Sequence, residues 1–459
     1  MGFYGTLFRG ASQAAAGASM ATGNMVFGAV QNARTKREIR AAVKQAGEAN
    51  FQNRAVAVLP GINKQLLALV SNDPQDNDVY DYDTQSATPA LDFIWGQDDA
   101  PEGVVVSGGG NDERVRALMA FVDKAQSQDR PLIVLHTGNG QLAGMLDAQS
   151  RACEHISRTE SYYDVFRGMP MDDMAYLLYE TFRPGGAKPA AESLLRAALG
   201  VLLLSDGAVA IEKLATLALQ NLDDQLAGFL KTSAISQADY DELHRYYLSG
   251  SAEIDAVRIQ LSRLARQVEG VYGRMGSRSC NIKRMLNAKG VVAIDVGLAN
   301  NDLLVGLVVN HLLLLESQGR DFAIILDNIP VSRFPQIMDV LRSRRYAISH
   351  DDVVSSLFGG DRPGDDLFSE ITGNVKTVVL FRQASGSTCQ KWSDYLGKYH
   401  KIRIRFNISQ NNAFLNNSNS HGISVDETDE PRVRAETLSR LPPNAVCVYR
   451  PEGILIAAV

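Results

Sequence analysis

Val104–Val115 reads Val-Val-Val-Ser-Gly-Gly-Gly-Asn-Asp-Glu-Arg-Val, a short buried strand, a glycine turn and a helix beginning at Asn111. Such a layout can cradle phosphate, because glycines let backbone N–H groups converge on an anion at a helix N-terminus. The residues that would complete the cradle are missing. With Gly108 as the first glycine of G-x-x-x-x-G-K-[ST], the last glycine falls on Glu113, the lysine on Arg114 and the hydroxyl residue on Val115. Asp112 and Glu113 favour the helix start through its dipole and would repel a triphosphate, while Val115 offers Mg²⁺ no oxygen. Gly108, Gly109, Gly110 and Arg114 therefore read as a vestigial phosphate loop.

The chain has 459 residues, a formal charge of −6 and a hydrophobic share of 45%, ordinary values for a globular protein of about three domains' length. A nucleic-acid surface would have to be local, because the whole is acidic. Cys153, Cys280, Cys389 and Cys447 lie far apart without C-x-x-C spacing, so the spacing predicts no metal site and no disulfide framework, and a reducing cytoplasm is expected. Leu303–Leu315 comes nearest to a membrane span but is too short and contains Asn310 and His311.

Residues 2–33 are rich in Gly, Ala, Ser and Met, and a basic cluster follows at Arg34–Arg40. A weak helix is expected from about Ser12 to Gly47, as a loose terminal arm or as a peripheral membrane or partner contact. Met1-Gly2-Phe3-Tyr4-Gly5-Thr6 formally matches a myristoylation pattern; the aromatic residues after Gly2 argue for chance. Arg54–Leu59 and Leu91–Trp95 read as strands on either side of the acidic linker Asn72–Thr84.

From Val104 strands and helices alternate: Asp112–Gln126 helix, then Pro131–His136 strand running into Thr137-Gly138-Asn139-Gly140. With Gly144 this gives a G-x-G-x-x-x-G spacing, which fits a dinucleotide loop or a tight strand-to-helix turn. No acid on a following strand stands out as a ribose partner. The lone match is weak, and an oxidoreductase is an outlying reading.

Pro184-Gly185-Gly186 ends the alternation, and Ala190–Leu286 reads as helical throughout, with helices at Ser193–Leu204, Gly207–Leu219, Leu222–Thr232 and Glu253–Met275. In the last, Ile254, Val257, Leu261, Leu264, Val268 and Val271 alternate spacings of three and four and make one apolar seam. Arg258, Arg263, Arg266 and Arg274 continue into Arg278, Lys283 and Arg284. This positive face suits DNA phosphates; a solvated face with helix C-terminal charges explains it at least as well.

Strands return at Gly290–Asp295 and Phe322–Asp327, separated by helix Asp302–Gln318. Phe322–Asn328 is a near-continuous apolar run ending in an acid, the pattern of a fully buried parallel strand. P-loop enzymes end this strand in Asp, which orders Mg²⁺ through water, and Glu, which polarises the attacking water. Here Asp327 remains and the second acid is Asn328, an amide that cannot act as a base. Helix Phe334–Ser343, the basic run Arg342, Arg344 and Arg345, and strands at Thr377–Arg382, Ile402–Phe406, Ala445–Tyr449 and Ile454–Ala458 follow. The last two form a hairpin around Arg450-Pro451-Glu452-Gly453. Asn411–Gly422 is expected to be a polar loop. His350 beside Asp351 and Asp352 reads as a solvated loop, and Cys389 as a plain thiol.

The order of parts resembles the coupling-protein ATPases of type IV secretion and conjugation (TraG/TraD-like), a branch of the hexameric FtsK-like DNA translocases. A glycine-turn strand is followed by an inserted helical block, an acid-ended strand and an arginine-bearing helix. Pro131–Leu142 stands where that family has a strand running into Asp-Pro-Lys-Gly-Glu, and Ser161–Phe166 is similar to its tyrosine-containing segment. Arg345-Tyr346-Ala347-Ile348 resembles an Arg-x-Tyr-Gly-Ile turn. Asn374–Phe381 with Thr388–Lys398 resembles the segment ending in Ser-x-x-Leu-Gly, and Thr437–Tyr449, with Leu441-Pro442-Pro443, the closing Leu-Pro segment. The likeness covers roughly residues 100–459.

This resemblance implies an α/β fold of the P-loop NTPase (RecA-like) type, a mostly parallel sheet flanked by helices with an inserted all-α domain. The expected division is an arm at 1–50, a first α/β part at 51–186, an all-α insert at 187–288 and a second α/β part at 289–459. Three departures set the chain apart from the family: the phosphate loop without lysine and hydroxyl, Asn328 for the catalytic glutamate, and Ser349-His350-Asp351-Asp352 with no phosphate-sensing glutamine between Ile348 and Phe358. The family's hydrophobic N-terminal anchor is also not seen. Arg345 matches either a family arginine that reaches a neighbouring subunit's nucleotide or a structural surface arginine.

The expected function is therefore a degenerate, non-catalytic coupling-protein-like component, with no cofactor. It would act through secretion or conjugation proteins, or DNA, in the cytoplasm or at the inner membrane face, in a homo- or hetero-oligomer. The alternative is an active translocase using ATP and Mg²⁺, with Arg114 on phosphate and Asp327 on the metal. A guanidinium fork does not fit the place of the loop lysine.

Overall fold

Aliphatic and β-branched runs become buried strands throughout this computed structural model. It describes residues 33–58, 80–81, 103–150, 152–274, 278–297, 301–334, 336–342, 345–357, 364–413, 416–443, 445–450 and 453–458. In chain order the strands begin with β1 (Val56–Val58), β2 (Tyr80–Asp81), β3 (Gly103–Ser107), β4 (Leu132–His136), β5 (Cys153–Ile156) and β6 (Val291–Asp295). There follow β7 (Ala323–Asp327), β8 (Tyr346–His350), β9 (Thr377–Leu380), β10 (Lys398–Ala413), β11 (Asn416–Pro431), β12 (Ala445–Arg450) and β13 (Gly453–Ala458). The chain divides into two compact units, one from the described parts of residues 1–120, 350–355 and 371–459, the other from those of 121–349 and 356–370.

In the first unit β3 pairs in parallel with β9, Val105 opposite Val378. Antiparallel pairing leads from β9 to β12 and on to the β12–β13 hairpin. Parallel pairing continues through β1 to β2. In the second unit β5–β6, β6–β4, β4–β7 and β7–β8 are all parallel. Leu132, Ile133, Val134 and Leu135 are each 0% exposed, as expected of parallel strands covered on both faces. Within each unit the pairing is thus mostly parallel and the strands are flanked by helices, the expected fold class.

Between β5 and β6 the named elements are all helical. The main ones are Met171–Phe182, Ala190–Asp206, Leu222–Lys231, Gln237–Gly250 and Ile254–Tyr272. Helix Ile254–Tyr272 buries Val257, Leu261, Leu264 and Val268 along its seam, while Ile254 and Val271 are half-buried and Gln260 and Tyr272 join the core. A short helix, Ile211–Thr216, replaces most of the expected Gly207–Leu219, because Gly207 takes the left-handed conformation and caps the preceding helix.

Several expectations need correction. Arg54 ends helix Ala33–Arg54, so the first strand begins at Val56, not at Arg54, and is described over Val56–Val58. The arginine-bearing helix is shortened to Ile337–Arg342 behind a 3₁₀ turn at Val331–Arg333. Tyr346–His350 is a strand, not a turn, and His350 ends it instead of standing on a solvated loop. Asn411–Gly422 lies mostly within a long ribbon: β10 and β11 pair antiparallel from Lys398↔Pro431 to Ala413↔Asn416. The ribbon satisfies its backbone by mutual pairing, whatever its Asn/Ser side chains prefer. Its base is held by Asn50, which donates to Ile402 O at 2.9 Å and accepts from Ile402 N at 2.7 Å. Arg54 is 0% exposed there and donates to Arg432 O at 2.9 Å. The Leu91–Trp95 strand, most of the acidic linker and the arm up to residue 32 lie outside the described residues.

Candidate functional site: a self-occupied glycine loop and an acid-lined strand edge

The valines of β3 carry the chain to Ser107, where it turns through Gly108 and Gly109 at φ +81° and +70°. Only glycine enters this region without strain, and space makes the same demand. A Cβ on Gly108 would lie 2.2 Å from Gln383 Nε2 and 2.6 Å from Arg382 O, and one on Gly109 2.6 Å from Phe381 Cβ. The glycines thus permit close packing against the exit of β9.

The amides of the loop point to the protein itself. Gly108 N donates to His350 O at 3.1 Å, Gly109 N to Arg382 O at 2.9 Å, and Gly110 N to Glu113 Oε2 at 2.7 Å. Glu113 puts a carboxylate oxygen where an anion would sit at this helix entrance. Arg114 is 6% exposed and its Nη1 donates to Gly109 O at 2.9 Å, so it braces the loop from below. Val115 is buried in the core. The residues present do not fit a triphosphate, because three loop donors are already bonded and the added side chain is an acid.

Sequence reading missed Gln383. It is buried, donates from Nε2 to Ser107 O and Phe381 O at 2.8 Å each, and accepts from Ser107 Oγ at 3.1 Å. A lone glutamine after an apolar strand was the available signal. Asp352 was also read as solvated, yet it accepts from Thr388 Oγ1 at 2.9 Å and from Ser355 N at 3.0 Å.

In the second unit the C-terminal ends of β4, β6 and β7 bring His136, Asp295 and Asp327 into register. Asp327 is 0% exposed; its Oδ2 accepts from Asn139 Nδ2 at 2.7 Å, and its Oδ1 has no hydrogen-bond partner among the described residues. His136 Nδ1 accepts from Asn139 N at 3.1 Å, which leaves the proton on Nε2. Burial lowers the His136 pKa, and the nearby Asp295 and Asp327 carboxylates only partly offset this. Asp295 Oδ1 accepts from Gly138 N at 2.9 Å and Gly297 N at 2.7 Å. It is the acid on a following strand that the sequence reading did not single out, and it binds the turn itself. Gly140 and Gly144 have room for a Cβ, so that glycine spacing marks a turn. Asn328 follows at φ +57° and donates its N–H to Ser349 O at 2.8 Å.

The remaining predicted residues are spread out. Arg345 donates to Gln128 Oε1. Arg258, Arg263, Arg266, Arg274 and Arg278 are exposed, whereas Lys283 is half-buried. Arg258 pairs with Asp255 at 2.7 Å and Arg274 with Glu269 at 3.3 Å, which reduces their charge available to a partner. Cys389 is buried, and burial raises its thiol pKa. No helix among the described residues is long and apolar enough to cross a membrane.

No protein-family model matches the chain, and no curated protein matches it. Solved structures do. The bacterial conjugative coupling protein TrwBdeltaN70, in its unbound monoclinic form, superposes with a TM-score of 0.51 at 15% identity, over 78% of this chain and 84% of that one. The plasmid coupling protein TrwB in complex with ADP and Mg²⁺ gives 0.50 at 14% identity, over the same 78% and 84%. Across most of its length, therefore, the chain has the fold of a conjugative coupling protein.

Proposed function

We propose that this chain is a coupling-protein-like component of a type IV secretion or conjugation apparatus that does not turn over nucleotide and works through protein or DNA contacts. The observation that carries this reading is the bonding of the Gly108, Gly109 and Gly110 amides to His350, Arg382 and Glu113. Val115 in place of a hydroxyl residue and Asn328 in place of a base support it. The helical stretch 190–286 is the recognition surface in this reading, with Arg263 and Arg266 among its exposed cations. Subunits of this chain, or of this chain with an active relative, form the oligomer.

One observation favours a second reading, an ATP-driven translocase: Asp327 keeps a buried oxygen with no partner among the described residues, of the kind that holds Mg²⁺ through water. Titration calorimetry with ATP and Mg²⁺, repeated with ADP, decides between them. No heat up to millimolar nucleotide is expected. Micromolar binding abolished by Arg114→Ala would overturn the proposal and support the translocase.

A further inference from the structure

β5 is bonded to β6 and carries Cys153 and His155 two residues apart, hence on one face. Asp147 reaches the same point from the last turn of helix Gly140–Gln149. His155 Nε2 lies 2.7 Å from Asp147 Oδ1 and 3.3 Å from Cys153 Sγ. The three ligand atoms are all within 4.8 Å of one another. His155 is buried, Cys153 half-buried and Asp147 exposed, so the cluster opens to solvent on one side.

Two chemistries use these residue types. In a nucleophilic relay the carboxylate would hold one imidazole nitrogen and the thiol would approach the other. Here both converge on Nε2. Burial, then the Asp147, Glu160 and Glu154 carboxylates, push the thiol pKa up to about 12, the reverse of an activated nucleophile. Convergence of sulfur, nitrogen and oxygen on one point inside a negative field suits a cation. The set is borderline-soft, and tetrahedral Zn²⁺ bonds would place such atoms roughly 3.3–3.6 Å apart, against 2.7 Å and 3.3 Å for the two contacts at Nε2.

We propose that Asp147, Cys153 and His155 bind a zinc-class divalent cation, with water in the fourth position. The cation ties the end of helix Gly140–Gln149 to β5. Binding forms metal–sulfur, metal–nitrogen and metal–oxygen bonds, releases the thiol proton to solvent and leaves the single imidazole proton on Nδ1 in place of Nε2, with no redox change.

The test is a Co²⁺ titration of the chelator-treated full chain, followed by absorbance. One equivalent should produce a thiolate-to-cobalt charge-transfer band that Zn²⁺ displaces. Cys153→Ser should lose the band and Cys280→Ser should keep it. Asp147→Asn, at an exposed position that does not threaten folding, should weaken Co²⁺ binding about 10–100-fold, at least what losing an outer partner costs. Absence of the band in the unaltered chain, its persistence in Cys153→Ser, or unchanged affinity in Asp147→Asn would each overturn the assignment. Should Cys153→Ser fail to fold, Asp147→Asn decides alone.

Discussion

Glu113 Oε2 accepts the Gly110 N–H at 2.7 Å, so the helix that leaves the glycine loop is capped by its own side chain. Glu113→Ala removes this acceptor and exposes the first turn. A loss of about 0.5–1.5 kcal/mol is expected, read as a lower urea midpoint with unchanged slope. A midpoint equal to that of the unaltered chain would mean the carboxylate is not holding the loop.

Gly108 and Gly144 are both glycines of loop-like motifs, but only one is needed. Gly108→Ala meets Gln383 and Arg382 O and must hold φ +81°; a loss of about 2–4 kcal/mol is expected from the backbone and overpacking terms together. Gly144→Ala sits in open space within a helix and should stabilise by about 0.5–1 kcal/mol. Thermal or urea unfolding of the two variants checks this. Equal effects would show that the close approach to Gln383 is not the reason for the glycine.

The parallel strands were legible because Val104–Val106, Leu132–Leu135, Val291–Ile294, Ile324–Leu326 and Val378–Leu380 are unbroken aliphatic runs, and each is a buried strand. Glu113 was legible as a helix-start carboxylate, though its bond to Gly110 was not. β8 escaped because its end, Ser349-His350, is polar and gains its place from pairing with β7. The strand at Ile402–Phe406 was legible and lies within β10, whereas the Asn/Ser-rich part of the ribbon escaped for a similar reason: Asn and Ser disfavour strands locally, and only the partner strand makes them extended. Gln383, Asp295 and the Asp147–Cys153–His155 cluster depend on contacts between separate elements, which spacing alone does not encode. Cys153 and His155 are adjacent on a strand face, but Asp147 joins them from the helix that precedes the strand.

Arg263 and Arg266 are exposed on helix Ile254–Tyr272. If the helical stretch meets DNA, these two contact phosphates. Affinity for duplex DNA should then fall with salt, and Arg263→Glu with Arg266→Glu should reduce the log–log slope by about 2. Fluorescence anisotropy over a salt series measures this. An unchanged slope would leave the arginines as a solvated face and turn the proposed function toward protein partners.

His311 is buried, and the Tyr163 hydroxyl lies 2.9 Å from its Nδ1. Burial, assisted slightly by Lys283, lowers its pKa from 6.5 to about 3, so the folded protein holds the neutral ring and the Tyr163 hydroxyl donates to it. The unfolded chain binds a proton that the folded chain refuses between these two values. Its contribution to stability is therefore complete above about pH 6.5 and declines as pH falls toward 3. The slope approaches about 1.4 kcal/mol per pH unit. Urea unfolding from about pH 8 to about pH 4 should show a shallower decline for His311→Gln than for the unaltered chain, even if the variant starts less stable. His136, also lowered by burial, titrates in both proteins and cancels in the difference. Parallel curves would mean that His311 takes up its proton without unfolding the Tyr163 contact.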